Sequence, residues 1–158
     1  MSDLHVALVE PEIHWNTGNA GRTCLAAGAQ LHLVRPLGFS LAEREVRRAG
    51  LDYWSRVNPR LWNDWPEFEA AIPELGEPFF FSSEGECSFW DVTFPRRVVL
   101  IFGRESDGLP AALRERYRER TLRLPMADPE IRSLNLSTSV GIVLYEVLRQ
   151  HRAAGLAS

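Results

Sequence analysis

The chain of 158 residues, 45% of them hydrophobic, has the size and composition of one packed globular domain, and no apolar run approaches the roughly 18 residues that cross a bilayer. All 18 basic residues are arginine, which excludes a Schiff-base lysine and a phosphate-loop lysine. The net charge of −3 argues against strong indiscriminate binding to nucleic acid, so any RNA must be held by a local patch.

Cys24 and Cys87 are far apart and form no CxxC pair, and the N-terminus shows no secretory pattern. Both are predicted to be buried thiols in a cytoplasmic protein, without a disulfide framework or a zinc site.

In chain order, residues 4–9 form a short apolar run bounded by Glu10-Pro11, and residues 30–34 form another that ends before Pro36; both read as buried strands. Between them a helix is predicted, started by Asn16 or Thr17, with its body at 20–27 and Gly28 as its left-handed cap. A strand, helix and strand of this length imply a parallel crossover. Residues 79–83 and 98–102 read as further central strands, nearly continuous in apolar side chains and so covered on both faces. A helix over 110–117, a last strand over 121–124 and a C-terminal helix over 136–149 complete the expectation. Val140, Val143, Leu144, Val147 and Leu148 share one face of that last helix.

The segment 41–73 mixes arginines 44, 47, 48, 56 and 60 with Tyr53, Trp54, Trp62 and Trp65. Such a mixture can hold phosphates and stack bases, and a surface helix followed by core tryptophans accounts for the same letters. Both readings stand at this point.

The first strand is not followed by GxGxxG, so a dinucleotide cradle is not expected. His5, His14, His32 and His151 have no metal-ligand spacing, and no GxSxG elbow is present. What remains is a set of polar loops at strand ends, where open α/β sheets place their ligands. The first runs from Asn16 to Arg22, with Arg22 one turn beyond Gly18. The second is Phe102-Gly103-Arg104-Glu105-Ser106-Asp107-Gly108-Leu109, in which Gly103 permits close approach and Glu105 can accept from loop amides or from a ligand. The third joins Leu124-Pro125-Met126 to Ser133-Leu134-Asn135-Leu136-Ser137, where Asn135 can cap the last helix and the helix start suits an anion. Each alone is also an ordinary turn or cap.

Taken in this order, with Glu146, the three segments resemble the motifs of the SPOUT methyltransferases, in particular the SpoU-like branch that methylates ribose 2′-hydroxyls of RNA. Glu10-Pro11-Glu12-Ile13 and Arg47-Arg48-Ala49-Gly50-Leu51-Asp52-Tyr53 resemble the minimal subgroup that acts on the wobble nucleotide of tRNA, a cytidine or modified uridine. The resemblance implies a single α/β domain over residues 1–158, with a parallel sheet and a deep C-terminal trefoil knot over about 98–150. It also implies a homodimer that binds the tRNA anticodon region, with Arg47 and Arg48 on the RNA and the first and last helices as contact faces. S-adenosylmethionine is the implied cofactor, held by Phe81, Gly103, Glu105, Leu124, Met126, Ser133 and Leu136, with no metal. Arg22 takes the decisive catalytic place, assisted by Asn16, Asn135 and Ser137. His14-Trp15 and Arg104 depart from the subgroup's pattern, which leaves open a different tRNA or ribosomal RNA nucleotide. A catalytically silent RNA-binding or dimerisation module and a flavodoxin-like regulatory domain are the readings from other classes.

Overall fold

The computed structural model describes residues 3–42 and 52–156. Among these, seven strands form one sheet: β1 Leu4–Val9, β2 Gln30–Val34, β3 Arg60–Trp62, β4 Glu77–Phe81, β5 Cys87–Ser88, β6 Val98–Phe102 and β7 Thr121–Arg123. Every pairing is parallel, in the order β3-β2-β1-β6-β4-β7-β5. The helices are α1 His14–Ala27, α2 Trp54–Val57, α3 Trp65–Leu75, α4 Ala111–Arg116 and α5 Leu136–Ala153.

The central strands are apolar on both faces because both faces are covered. On one side Val6, Leu8, Leu100 and Phe102 pack with Ala20 and Cys24 of α1 and with Val140, Val143, Leu144 and Val147 of α5. On the other, Ala7, Val9, Val99 and Ile101 meet Phe68 and Ile72 of α3. Full burial of such a side chain is worth about 1.5–3 kcal/mol, so these two layers hold the strand ends in place. No helix among the described residues is long and apolar enough to cross a membrane.

Several boundaries differ from the sequence expectation. Helix α1 begins at His14, ahead of Asn16, and its N-cap residue Ile13 supplies no side-chain bond, because a carboxylate from a distant loop does the capping. Strand β4 begins and ends two residues earlier than expected, β7 stops at Arg123, and α5 continues to Ala153. Cys24 is buried, which pushes its thiol up to about 12, but Cys87 is exposed on the marginal strand β5. Helix α3 was not read from the sequence, although Asp64 and Glu67 carry its start signal: the Glu67 N–H donates to the Asp64 carboxylate at 2.9 Å.

Two backbone features shape the ligand end of the sheet. Glu10 takes a left-handed φ of 54°, which turns the chain out of β1 into the loop before α1. After β6 the chain folds back on itself, with the Gly108 N–H donating to the Arg104 carbonyl at 2.9 Å. A Cβ on Gly103 would lie 2.1 Å from the backbone at Gly108 and Leu109, so only glycine fits there.

Candidate active site

The carboxyl ends of β4 and β6, the segment after β7 and the start of α5 enclose a cavity of about 730 Å³. Phe81, Leu124, Met126 and Leu136 supply apolar wall, and the loop from Gly103 to Gly108 and the segment from Arg132 to Asn135 supply backbone and polar groups. Phe81 is stacked on Phe102, with centroids 4.8 Å apart and planes within 13°, and both rings line the cavity. Glu84, Glu105 and Asp107 bring carboxylates to the lining, and Arg104, Arg114 and Arg132 bring guanidinium groups.

One side of this cavity is held by hydrogen bonds between residues far apart in sequence. Glu105 Oε1 accepts from the Glu12 N–H at 2.8 Å, and Oε2 accepts from the Ile13 N–H at 2.9 Å and from Asn16 Nδ2 at 3.1 Å. Its negative charge therefore sits at the start of α1, where the unpaired amides and the helix dipole favour an anion. Glu12 returns the contact: its Oε1 accepts from the Ser106 amide at 2.9 Å and the Ser106 hydroxyl at 2.7 Å. These bonds, the hydroxyl's foremost, hold the Glu12 carboxyl below the usual carboxylate range.

From Asn16 the network continues into the last helix. Asn135 Nδ2 donates to Asn16 Oδ1 at 3.0 Å, while Asn135 Oδ1 accepts from the Ser137 hydroxyl at 2.7 Å and the Thr138 N–H at 3.2 Å. Asn135 thus caps α5 and fastens it to α1 with opposite ends of one amide. Asn16 is buried, as a residue whose amide oxygen and nitrogen are both occupied can be.

The residues singled out in the sequence distribute as follows. Asn16, Phe81, Gly103, Glu105, Leu124, Met126, Ser133, Asn135 and Leu136 line the cavity, and Ser137 stands behind Asn135. Glu105 is engaged with loop amides and Asn16. Arg22 does not line the cavity of its own chain: it is exposed on α1, with its guanidinium carbon 5.8 Å from the centre of the Tyr53 ring. Glu146 lies on α5 and accepts from Arg149 and Gln150. Arg47 and Arg48 lie outside the described residues. The sequence reading missed the Glu12–Ser106 clasp and did not select Arg114 and Arg132 as lining residues. Arg132 directly precedes the Ser133 motif, which was the available signal.

The all-parallel sheet places these three loops around one cavity at the carboxyl ends of its strands, and the chain belongs to the SpoU rRNA Methylase family, whose model matches residues 3–145. It is 47% identical over 149 residues to the tRNA (cytidine(34)-2′-O)-methyltransferase of Burkholderia cenocepacia (strain HI2424), covering 93% of this chain and 95% of that one. It is similar to a solved structure concerned with the 2-OH methylation of C/U34 on tRNA, at 45% identity and a TM-score of 0.86, covering 94% of this chain and 91% of that one. An AdoMet-bound rRNA methyltransferase from Sinorhizobium meliloti shares the fold at a TM-score of 0.74 and 27% identity, over 92% of this chain and 56% of that one.

Proposed function

We propose that the protein transfers a methyl group from S-adenosylmethionine to the ribose 2′-hydroxyl of the wobble nucleotide of tRNA, cytidine or modified uridine, in the cytoplasm. The observation that carries this reading is the fastening of the cavity to α1 through Glu105, Asn16 and Asn135, in a chain so similar to a tRNA (cytidine(34)-2′-O)-methyltransferase.

The cavity suits the cofactor in size and in chemistry. A volume of about 730 Å³ matches a small-molecule site, and the lining pairs an aromatic and aliphatic wall with carboxylates and backbone groups. Such a lining serves a ligand with an aromatic base at one end and a cationic centre at the other. Phe81, Leu124, Met126 and Leu136 would enclose the base, with the backbone at Gly103 and Ser133 reading its edges. When bound, the cofactor supplies an electrophilic methyl group on a sulfonium.

The chain's own part is to hold the ribose oxygen in line with that methyl and to assist proton loss as the new bond forms. A guanidinium offers only donors. Arg22 therefore holds the adjacent phosphate and stabilises the developing alkoxide, while the proton leaves to phosphate or water. Asn16, Asn135 and Ser137 orient the ribose and the loops around it, and Arg47 and Arg48 hold the RNA of the anticodon region.

Because Arg22 does not line its own cavity, a second copy of the chain is the natural source of that group, in a homodimer whose sites are shared. The exposure of Trp15 on α1 and of Ile142 and Tyr145 on α5 supports this, since α1 and α5 are the expected contact faces. In the same reading residues 1–158 form one domain and about 98–150 carry the knot.

The test is Arg22→Ala, followed by methyl transfer to tRNA, by calorimetry with S-adenosylmethionine and by light scattering of the active fraction. Loss of turnover with cofactor binding intact, in a dimer, is expected. Retained turnover would refute the assignment of Arg22, and full activity in a monomer would refute the shared site.

A further inference from the structure

Arg22 has a specific neighbour. Tyr53, immediately before α2, lies against α1 with two contacts one helical turn apart: its hydroxyl donates to the Gly18 carbonyl at 3.0 Å, and its ring lies 5.8 Å from the Arg22 guanidinium carbon. Residues i and i+4 of a helix share a face, so a side chain tethered at Gly18 is delivered to Arg22. The seat around this contact is tight. A Cβ on Gly21 would lie 2.8 Å from the Trp54 ring and 3.2 Å from Val57, so α2 approaches α1 only because position 21 is glycine. Burial raises the Tyr53 phenol above its usual range, which keeps it a protonated donor through any ordinary assay pH.

The ring does for Arg22 what ion pairs do elsewhere in the molecule. Arg104, Arg114, Arg116, Arg118, Arg120 and Arg149 are each paired with a carboxylate. Among the described residues Arg22 has no such partner. A carboxylate would compete with an RNA phosphate for the guanidinium, whereas an aromatic face restrains a cation and leaves its N–H donors free for an incoming anion.

We infer that Tyr53 is a positioning residue for the methyl-transfer reaction, holding the Arg22 guanidinium by a cation–π contact while its hydroxyl fixes the ring to α1. The inference rests on the proposed role of Arg22, and it ties the segment that ends at Tyr53 to the reacting group.

The experiment replaces Tyr53 in the full-length protein by phenylalanine and by a graded series of fluorinated phenylalanines ending in pentafluorophenylalanine, which keeps the ring's shape and reverses the charge on its face. Tyr53→Phe should retain turnover within about threefold. Along the fluorinated series kcat should fall progressively to about fivefold below the phenyl variant, with the KM for tRNA and the Kd for S-adenosylmethionine unchanged. Packing alone would not distinguish rings of nearly equal shape, so equal kcat across the series overturns the inference, as does an effect confined to KM or to cofactor binding. The graded series includes lightly substituted rings that fold with the phenyl variant, so the trend is readable even where the last member is unstable. Arg22→Ala is measured in parallel: if it is inactive and the series is flat, only the role of Tyr53 fails, and if it stays active the reading of Arg22 itself fails.

Discussion

Glu105 shows how one side chain can organise a site it need not react in. Its carboxylate is the acceptor for two backbone amides and one side-chain amide, all from the start of α1. Glu105→Gln puts an NH2 where one of those acceptor oxygens stood, so at least one part-buried donor loses its partner and the charge at the helix start disappears. A cost of about 1–3 kcal/mol is expected, read as a lower urea midpoint with unchanged slope. A midpoint equal to that of the parent would mean that the clasp contributes nothing to stability. The sequence announced Glu105 and Asn16 as members of two polar loops, and left open whether Glu105 serves amides or a ligand. It did not announce their bond, because residues 89 apart in the chain meet only through the sheet order. Arg22 was legible in the same way, as a member of a motif, whereas Tyr53 was legible only as the end of the Arg47–Tyr53 segment and as one of several aromatics, with nothing to join it to Arg22.

Among the elements, the strands that matter most to the site were the easiest to read. Strand β6 is a continuous apolar run, and β1 and β2 are nearly so, interrupted only by His5, Gln30 and His32, because helices cover both sides of the sheet. Strand β3 was not legible: it has three residues, two of them exposed, at an edge of the sheet. Its interior neighbour explains one scattered histidine. His32 Nδ1 accepts from the Trp62 indole at 3.0 Å, so its proton lies on Nε2 and faces His5 Nδ1 at 2.9 Å. Burial foremost, then the charges of His5 and Arg60, pulls His32 down to about 3. Its folded pKa lies below its unfolded value of about 6.5, so between these the unfolded chain binds the proton and the folded one does not. Stability should fall as pH drops from about 6.5 towards 3, by up to about 1.4 kcal/mol per unit from this group. Urea titrations at stepped pH on the parent and on His32→Leu check this: the variant should show a shallower slope, and equal slopes would contradict the account.

At the scale of the whole molecule, charge and shape are divided. The region around β4, β5, β7 and α4 carries arginines matched to glutamates, as in Arg114 with Glu84 and Arg118 with Glu86, so it offers little net charge to RNA. Arg22 is restrained by an aromatic ring and stays available, in a protein whose overall charge is negative. Local patterning could establish the parallel sheet, since buried strands alternate with amphipathic helices. It could not establish how the last helix returns to α1, where apolar side chains of both helices share one core and Asn135 bonds Asn16 across 119 residues, nor that Arg22 would lie outside its own cavity. Family motifs grouped Asn16, Gly103, Ser133 and Asn135 into one site, because they collect residues by the site they share; they also put Arg22 there, whereas it lies outside the cavity of its own chain.

The central claim is chemical and positional: one methyl group, on one ribose oxygen, at the wobble nucleotide. It is tested most directly by incubating the purified protein with S-adenosylmethionine and unmodified tRNA, digesting the product with nucleases and locating the added methyl by mass spectrometry. A single 2′-O-methylated nucleotide at the wobble position is expected, lost when that nucleotide carries a 2′-deoxyribose. Methylation of a base, or of a ribose elsewhere in the tRNA, would contradict the claim.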